Sequence, residues 1–474
     1  MNTAEREVLR LARQLSAAIM PITVLRSRLP AFMLLAAALA ALVSCKSLPV
    51  ADVPPAASAV RIQHARGPLS AKESTAILEK LGDTAVLQRH IAVEEAVAGS
   101  PLVLGNQVTL LEDGAATYKA MFADIRRAKD HINVETYIFE DDETGHRFAK
   151  LLLEKQAAGV QVNLIYDSVG SMGTPPAFFD ELKKGGVRVL EFNPVNPLTV
   201  KKVWDLNQRD HRKLLVVDGR IAFVGGINIS GVYSAGSATT ASGEPIPWRD
   251  TQVRIEGPVV AEFQKLFIAV WERQRGEPLP GRNYFPGLAG RGDEIVRAIG
   301  SSASDEYSPI YVTLLSAINS AETSVYLTNA YFVPDPQLLQ ALKGAAGRGV
   351  EVKLVLPSQT DFWAVFHAGR SYYTELLEAG IQIYERREVL LHSKTALVDG
   401  VWSTIGSTNL DWRSFLHNEE LNAVVLGPSF SKQMMAAFER DLAASGQITL
   451  ETWKRRPLVM RVKEHFARMW QYWL

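Results

Sequence analysis

"HRKLLVVDGRIAFVGGIN" occupies residues 211–228 and "HSKTALVDGVWSTIGSTN" occupies residues 392–409. The second repeats the first at a constant offset of 181 residues: His211, Lys213, Asp218, Gly226 and Asn228 become His392, Lys394, Asp399, Ser407 and Asn409. One H-x-K alone would read as a solvated strand end. Two copies with matched spacing call for another explanation. Residues two apart in a strand share a face, so each histidine projects beside its lysine. The apolar runs "LLVV" and "TALV" are the buried strands that fix each pair. Each Asp-Gly turns the chain, and a second strand carries the asparagine back towards the histidine.

The flanks repeat as well. "INVETYIF" (132–139) is a strand, "TGHRFAKLLLEKQAAG" (144–159) has helical apolar spacing, and "VQVNLIYD" (160–167) is a strand again. The same order returns in "SVYLTNAYFV" (324–333), "DPQLLQALKGAAGRG" (335–349) and "VEVKLVLP" (350–357). The pattern predicts an α/β fold made by duplication of a whole domain. Each copy should be a mixed, mostly parallel sheet flanked by helices, the two packed as a pseudo-twofold pair with one shared active site. The expected boundaries are a helical lead-in at 73–104, a first domain at 105–280, a linker at 281–306, a second domain at 307–450 and a basic, aromatic carboxy-terminal segment at 451–474.

The chain has 474 residues, 47% of them hydrophobic, enough for one large or two medium domains, and a formal net charge of zero. That balance argues against a nucleic-acid partner, which would call for a basic, aromatic-laced stripe. The amino terminus differs from the rest: Arg26 and Arg28 precede an apolar run from Ala31 to Val43, too short to span a bilayer but suited to a secretory signal. Cys45, the only cysteine, ends "LVSC" and resembles a bacterial lipobox, in which that cysteine is lipidated. The expectation is a signal peptide at 1–44, then lipidated Cys45 and a Pro/Ala/Ser-rich tether to residue 72. Lys46 after the cysteine points to a periplasm-facing anchor in the outer membrane of the cell envelope; the alternative is an uncleaved inner-membrane signal anchor.

Two histidines, two lysines and two asparagines meeting across a pseudo-twofold axis suit transfer at phosphorus. A neutral imidazole can attack while an imidazolium expels the alcohol, leaving a phosphohistidine. The second histidine then deprotonates an incoming hydroxyl. Lys213, Lys394, Asn228 and Asn409 would hold the non-bridging oxygens. No cofactor and no metal is expected: His64, His90, His131, His146, His367 and His465 show no ligand spacing with a second His or Cys.

Two H-x-K-x4-D-x6-G-[GS]-x-N motifs in a duplicated α/β chain resemble the phospholipase D superfamily over about residues 105–445. "ETYIFEDDETG", "NQRDHRKLLVVDGRIAFVGGINIS", "WRDTQVRIEGP", "NAYFVPDPQL" and "STNLDWRSFLHNEELNAVV" resemble its bacterial cardiolipin synthase branch. The resemblance implies a phosphohistidine mechanism on a lipid diester, with His211 as nucleophile and His392 as general acid and then base. Asp218 and Asp399, at turns after buried strands, read as structural. Orienting carboxylates are expected on the strand that follows each motif: Asp250 for His211 and Glu420 for His392, with strand alternation letting only one of Glu419 and Glu420 face the site. Gly226 and Ser407 complete the supporting set. His417 lies near the second motif.

The acceptor decides the product. Attack by the glycerol hydroxyl of phosphatidylglycerol on a phosphatidyl group from phosphatidylglycerol or phosphatidylethanolamine gives cardiolipin; attack by water gives phosphatidic acid. More distant alternatives are a periplasmic phosphodiesterase or nuclease and a non-enzymatic lipid-binding lipoprotein. "TWKRRPLVMRVKEHFARMWQYWL", with Lys454, Arg455, Arg456, Arg461 and Lys463 among Trp453, Trp470 and Trp473, fits either a membrane surface or a capping helix. "TDFWAVFHAG" (360–369) is a candidate lining for acyl chains or a packed helix.

Overall fold

The computed structural model describes residues 48, 60–82, 84–195, 207–235, 238–239 and 245–474. The chain divides into two units, Met1–Lys46 and Ser47–Leu474. The first, with the expected signal peptide and Cys45, and most of the expected tether lie outside the described residues.

Helices Ala71–Leu81 and Ile91–Val97 lead into β1 (Leu102–Glu112), and the first repeat follows. It comprises α1 (Asp113–Arg127), β2 (His131–Thr136), α2 (Glu143–Ala157), β3 (Gln161–Asp167), α3 (Pro176–Lys184) and β4 (Arg188–Phe192). Then come β5 (Arg209–Asp210), β6 (Lys213–Val217), β7 (Ile221–Gly225), β8 (Trp248–Arg249), β9 (Thr251–Glu256) and α4 (Val260–Arg273). The second repeat runs β10 (Glu294–Ser301), α5 (Pro309–Ser320), β11 (Ser324–Asn329), α6 (Pro336–Gly347), β12 (Glu351–Pro357), α7 (Trp363–Arg370) and β13 (Gln382–Arg386). It closes with β14 (Leu390–Leu391), β15 (Lys394–Val398), β16 (Trp402–Gly406), β17 (Asn418–Leu426) and α8 (Pro428–Ala443), beyond which lies α9 (Leu458–Arg468).

The sheet is mixed, as the alternation of strand and helix implies, but the parallel part is the smaller one. β2, β3 and β4 are parallel, as are β11, β12 and β13, because each crossover there carries a helix. The rest of each repeat is antiparallel: β2–β6–β7–β9–β1 in the first, β11–β15–β16–β17–β10 in the second. The expectation of a mostly parallel sheet missed this because the motif is itself a hairpin, and hairpins pair antiparallel. The stretch read as a linker, 281–306, contains β10. That strand pairs antiparallel with β1 and joins the two repeats into one sheet.

Leu214, Val224 and Val253 of the first repeat share a buried cluster with Leu397, Ile405 and Ala423 of the second. Each fully buried side chain of this size contributes roughly 1.5–3 kcal/mol, so the two motif hairpins are locked together by their apolar faces.

The turn aspartates anchor this frame. Asp218 and Gly219 both have positive φ (52° and 61°), as do Asp399 and Gly400 (50° and 64°), the left-handed geometry that Asp and Gly tolerate. The Asp218 carboxylate accepts the backbone N–H groups of Lys129, Asp130 and His131 at the start of β2. Asp399 does the same for Glu322, Thr323 and Ser324 before β11. Each ties a motif hairpin to the first parallel strand of its repeat. Asp218→Ala or Asp399→Ala should lower stability by about 2 kcal/mol, the scale of hydrogen bonds to a charged group. Denaturant unfolding checks this, and kcat should stay within a few-fold of the parent.

Candidate active site

Both motifs reach one cleft of about 340 Å³ whose lining includes His211, Asn228, His392 and Asn409. β5 runs parallel to the start of β17, and the His211 N–H donates to the Glu419 carbonyl at 3.0 Å. β14 runs parallel to β8 in the same way, and the His392 N–H donates to the Arg249 carbonyl at 2.8 Å. Each histidine is therefore seated on a strand that follows the motif of the other repeat.

That seating corrects the expected carboxylate pairing. His211 Nδ1 lies 3.1 and 3.2 Å from the two Glu420 oxygens, and His392 Nδ1 lies 2.7 Å from Asp250 Oδ2. Glu420 belongs to the second repeat yet serves His211; Asp250 belongs to the first and serves His392. Each carboxylate is fully buried, and each accepts from the proximal ring nitrogen, leaving Nε2 for chemistry. Glu419 faces away and pairs with Arg212 at 3.0 Å and Arg273 at 2.6 Å.

Burial pushes the His211 imidazole down to about 4, and Lys213 adds to that, while Glu420 opposes it. His392 is lowered for the same reasons, by burial and Lys394 against Asp250. Burial would raise the Glu420 carboxyl, but His211, Lys213 and the Ser407 hydroxyl outweigh it and bring it down to about 2. Burial and the neighbouring lysines thus work against the charged form of both imidazoles, and an anionic phosphodiester entering the cleft would favour it.

The lysines sit below the histidines. Lys213 Nζ donates to the His211 carbonyl and Lys394 Nζ to the His392 carbonyl. Burial lowers Lys213 to about 7 and Lys394 to about 8. A phosphodiester would favour their charged form and engage N–H groups not used on the carbonyl.

The asparagines are unequal. Asn228 accepts from the Ile138 N–H at 3.1 Å and donates to the Tyr233 hydroxyl at 2.8 Å, whereas Asn409 Oδ1 has no hydrogen-bond partner. Gly226 and Ser407 occupy matching places: a Cβ at Gly226 would run into the Asp250 carboxylate, while the Ser407 hydroxyl donates to Glu420.

Sequence reasoning missed several lining residues. Trp248 and Tyr233 pack against the His392 ring at 5.1 and 5.8 Å, and Tyr137 packs edge-on against His211 at 5.1 Å. Arg209 and Arg413 line the cleft, Arg413 held by the Asn207 side chain at 2.8 Å. Asp361, which accepts from the Tyr331 hydroxyl, and Asp411, whose carboxyl burial raises to about 7, lie among them. Arg209, Asp411 and Arg413 do fall in stretches that border the motifs, which was the available signal. Tyr137 and Tyr331 follow β2 and β11, inside the stretches "ETYIFEDDETG" and "NAYFVPDPQL" that carried the family resemblance, but far from the two motifs in sequence. Phe362 and Val365, from the candidate acyl-lining stretch, also line the cleft. His417 does not; its Nε2 is buried without a hydrogen-bond partner.

A duplicated α/β frame with one His-Lys-Asn set from each repeat in a single cleft defines a phospholipase D-like enzyme. Residues 121–237 and 314–442 match the family model described as "Cardiolipin synthase, PLD-like domain". The cardiolipin synthase of Geobacillus kaustophilus (strain HTA426) is 36% identical over 372 residues, 78% of this chain and 72% of that protein. That of Alkalihalophilus pseudofirmus is 34% identical, covering 83% and 76%. The crystal structure of phosphatidylserine synthase from Haemophilus influenzae Rd KW20 shares the fold with a TM-score of 0.61 at 14% identity, covering 81% of this chain and all of that one. The chain belongs to the cardiolipin synthase family of phospholipase D-like proteins and is a phosphatidyltransferase.

This membership corrects the expected location. Membership of the cardiolipin synthase family overturns the assignment of a lipid anchor in the outer membrane. That assignment rested on four residues, Leu42 to Cys45, and on Lys46 beside them, none of which is among the described residues. Among the described residues no helix is long and apolar enough to cross a membrane.

Proposed function

We propose that His211 is the nucleophile and His392 the proton carrier in transfer of a phosphatidyl group from one phosphatidylglycerol to another. His211 Nε2 attacks phosphorus, the bond to the leaving glycerol oxygen breaks, and His392 Nε2 protonates that oxygen. Free glycerol departs and the phosphatidyl group stays on His211. The neutral His392 then takes the proton of an acceptor glycerol hydroxyl, whose oxygen attacks phosphorus and breaks the P–N bond. Cardiolipin leaves, and both histidines return to their starting states.

Glu420 stabilises the cation that His211 becomes on forming the P–N bond, and Asp250 does so for His392 when protonated. Lys213, Lys394, Asn228 and Asn409 hold the non-bridging oxygens, where charge is greatest during transfer. The observation that carries this reading is the pair of imidazoles in one cleft, each with its Nδ1 on a buried carboxylate.

The test is incubation of the purified protein with phosphatidylglycerol, with and without phosphatidylethanolamine, followed by lipid mass spectrometry. Cardiolipin and free glycerol in equal amounts are expected. Phosphatidic acid as the sole product would replace the transferase reading with hydrolysis, and release of ethanolamine would reassign the donor.

A further inference from the structure

Helix α9 is amphipathic in the wrong sense for a capping helix. Its inward stripe carries Glu464 and Ala467, continued by Gln471 and Leu474, all buried, with Glu464 held by Arg456 at 2.8 Å. Its outward stripe carries Leu458, Val459, Val462 and Phe466, exposed by 74%, 59%, 60% and 42%, and continues through Trp470 and Trp473. Twelve large apolar side chains are exposed among the described residues; nine belong to α9, the turn after it or the adjoining Phe362–Trp363. So concentrated a patch marks an interaction surface.

Two observations identify the partner. First, the exposed charged side chains of α9 are basic, Arg461 and Lys463, whereas its one carboxylate is buried and paired. Second, the patch is continuous with the cleft: α9 packs on α7, and Phe362, Val365 and Leu474 line the same cavity as His211 and His392. Trp453 and Arg456, which the sequence groups with this basic aromatic segment, turn inward and stack on each other.

We propose that α9, its following turn and Phe362–Trp363 form one surface that inserts into an anionic phospholipid bilayer and holds the cleft mouth against it. Apolar side chains enter the headgroup boundary, Arg461 and Lys463 meet lipid phosphates, and the tryptophans sit at the interface. The inference rests on the phosphatidyl-transfer reading, because the surface would deliver a bilayer lipid to the histidines.

The test compares the full chain with a Val462→Asp/Phe466→Asp/Trp470→Asp variant, none of whose altered residues lines the cleft. Two substrates are used: vesicles of long-chain phosphatidylglycerol, and dihexanoyl-phosphatidylglycerol kept monomeric. At least a tenfold fall in kcat/KM on vesicles is expected, with turnover of the monomeric lipid within twofold of the parent. Full activity on vesicles, or equal loss on both substrates, overturns the proposal.

A second measurement keeps the inference separable from the chemistry. In a Cys45→Ala background, an environment-sensitive dye on Val462→Cys should shift to the blue on phosphatidylglycerol vesicles. No shift, or a dye already blue in solution because a second copy covers the patch, overturns the proposal. A parent chain inactive on both vesicles and monomeric lipid would sink the transfer reading while leaving the dye result to judge the surface.

Discussion

Alanine at His211 or at His392 is expected to lower kcat for cardiolipin formation by on the order of 10⁴ or more, the scale seen when a covalent nucleophile or its proton-transfer partner is removed. Both chemical steps pass through both residues, so neither variant should retain one half of the cycle on a lipid donor. The double variant should be no worse than the worse single one, since members of one catalytic unit do not contribute additively. Folding should survive. Glu420 keeps donors in Ser407 and in Asn418 at 3.1 Å, and Asp250 keeps the Thr251 N–H at 2.7 Å. Activity within tenfold of the parent in either variant would remove the two-histidine mechanism. A denaturing quench during turnover, followed by peptide mass spectrometry, should find the phosphatidyl adduct on His211; an adduct on His392 would reverse the two roles.

What could be read from the sequence follows from what leaves a local mark. The hairpin of each motif was legible because its polar ends, its buried strand and its Asp-Gly turn are all contiguous, and because the whole unit occurs twice. The turn role of Asp218 and Asp399 was legible for the same reason, although the amide groups they hold lie some 90 residues away for Asp218, at Lys129 to His131. The seam between the repeats left no such mark. β5 and β14 are two residues long, and their parallel pairing with β17 and β8 involves no hydrophobic alternation that a sequence could display. Reading each carboxylate as the partner of the histidine nearest in sequence was therefore the natural choice, and topology reversed it.

The same seam explains why a duplicated chain can carry two unequal halves. Position for position, Arg212 matches Ser393, and the difference is buried. Behind His211, Arg212 meets Glu419 at 3.0 Å and Glu135 at 4.0 Å, with Asp210 alongside. Burial, with the Glu419 charge adding to it, raises the carboxyl of Glu135 to about 7, and burial beside Glu135 raises that of Asp210 well above its ordinary value. Behind His392, Ser393 shares hydrogen bonds with the Thr251 hydroxyl at 3.0 Å and the Arg249 carbonyl at 3.5 Å, and the ring is boxed by Tyr233 and Trp248. The first histidine thus stands before a buried ionic cluster centred on Arg212, and the second before an aromatic wall and the Arg249 cluster with Glu112 and Asp441. Unequal surroundings of this kind can give two otherwise identical side chains different roles.

Exchange of the carboxylates tests that seam directly. Glu420→Gln and Asp250→Asn are each expected to lower kcat by about 10³–10⁴, because an amide in place of a carboxylate permits the wrong imidazole tautomer and gives no support to the cation. The two variants should nevertheless differ in kind. A diester with a good leaving group, such as a p-nitrophenyl phosphodiester, needs no proton to expel it. For release of nitrophenol, loss of the proton carrier is then forgiven and loss of the nucleophile is not. Asp250→Asn should recover with His392→Ala on this substrate, and Glu420→Gln should remain impaired with His211→Ala, although sequence position pairs them the other way. If Glu420→Gln were rescued and Asp250→Asn were not, the cross-repeat contacts of 3.1 and 2.7 Å would be structural only. Recovery of the predicted pairs would show that each half of the duplication supplies the orienting group for the other, so that neither repeat alone contains a complete catalytic dyad.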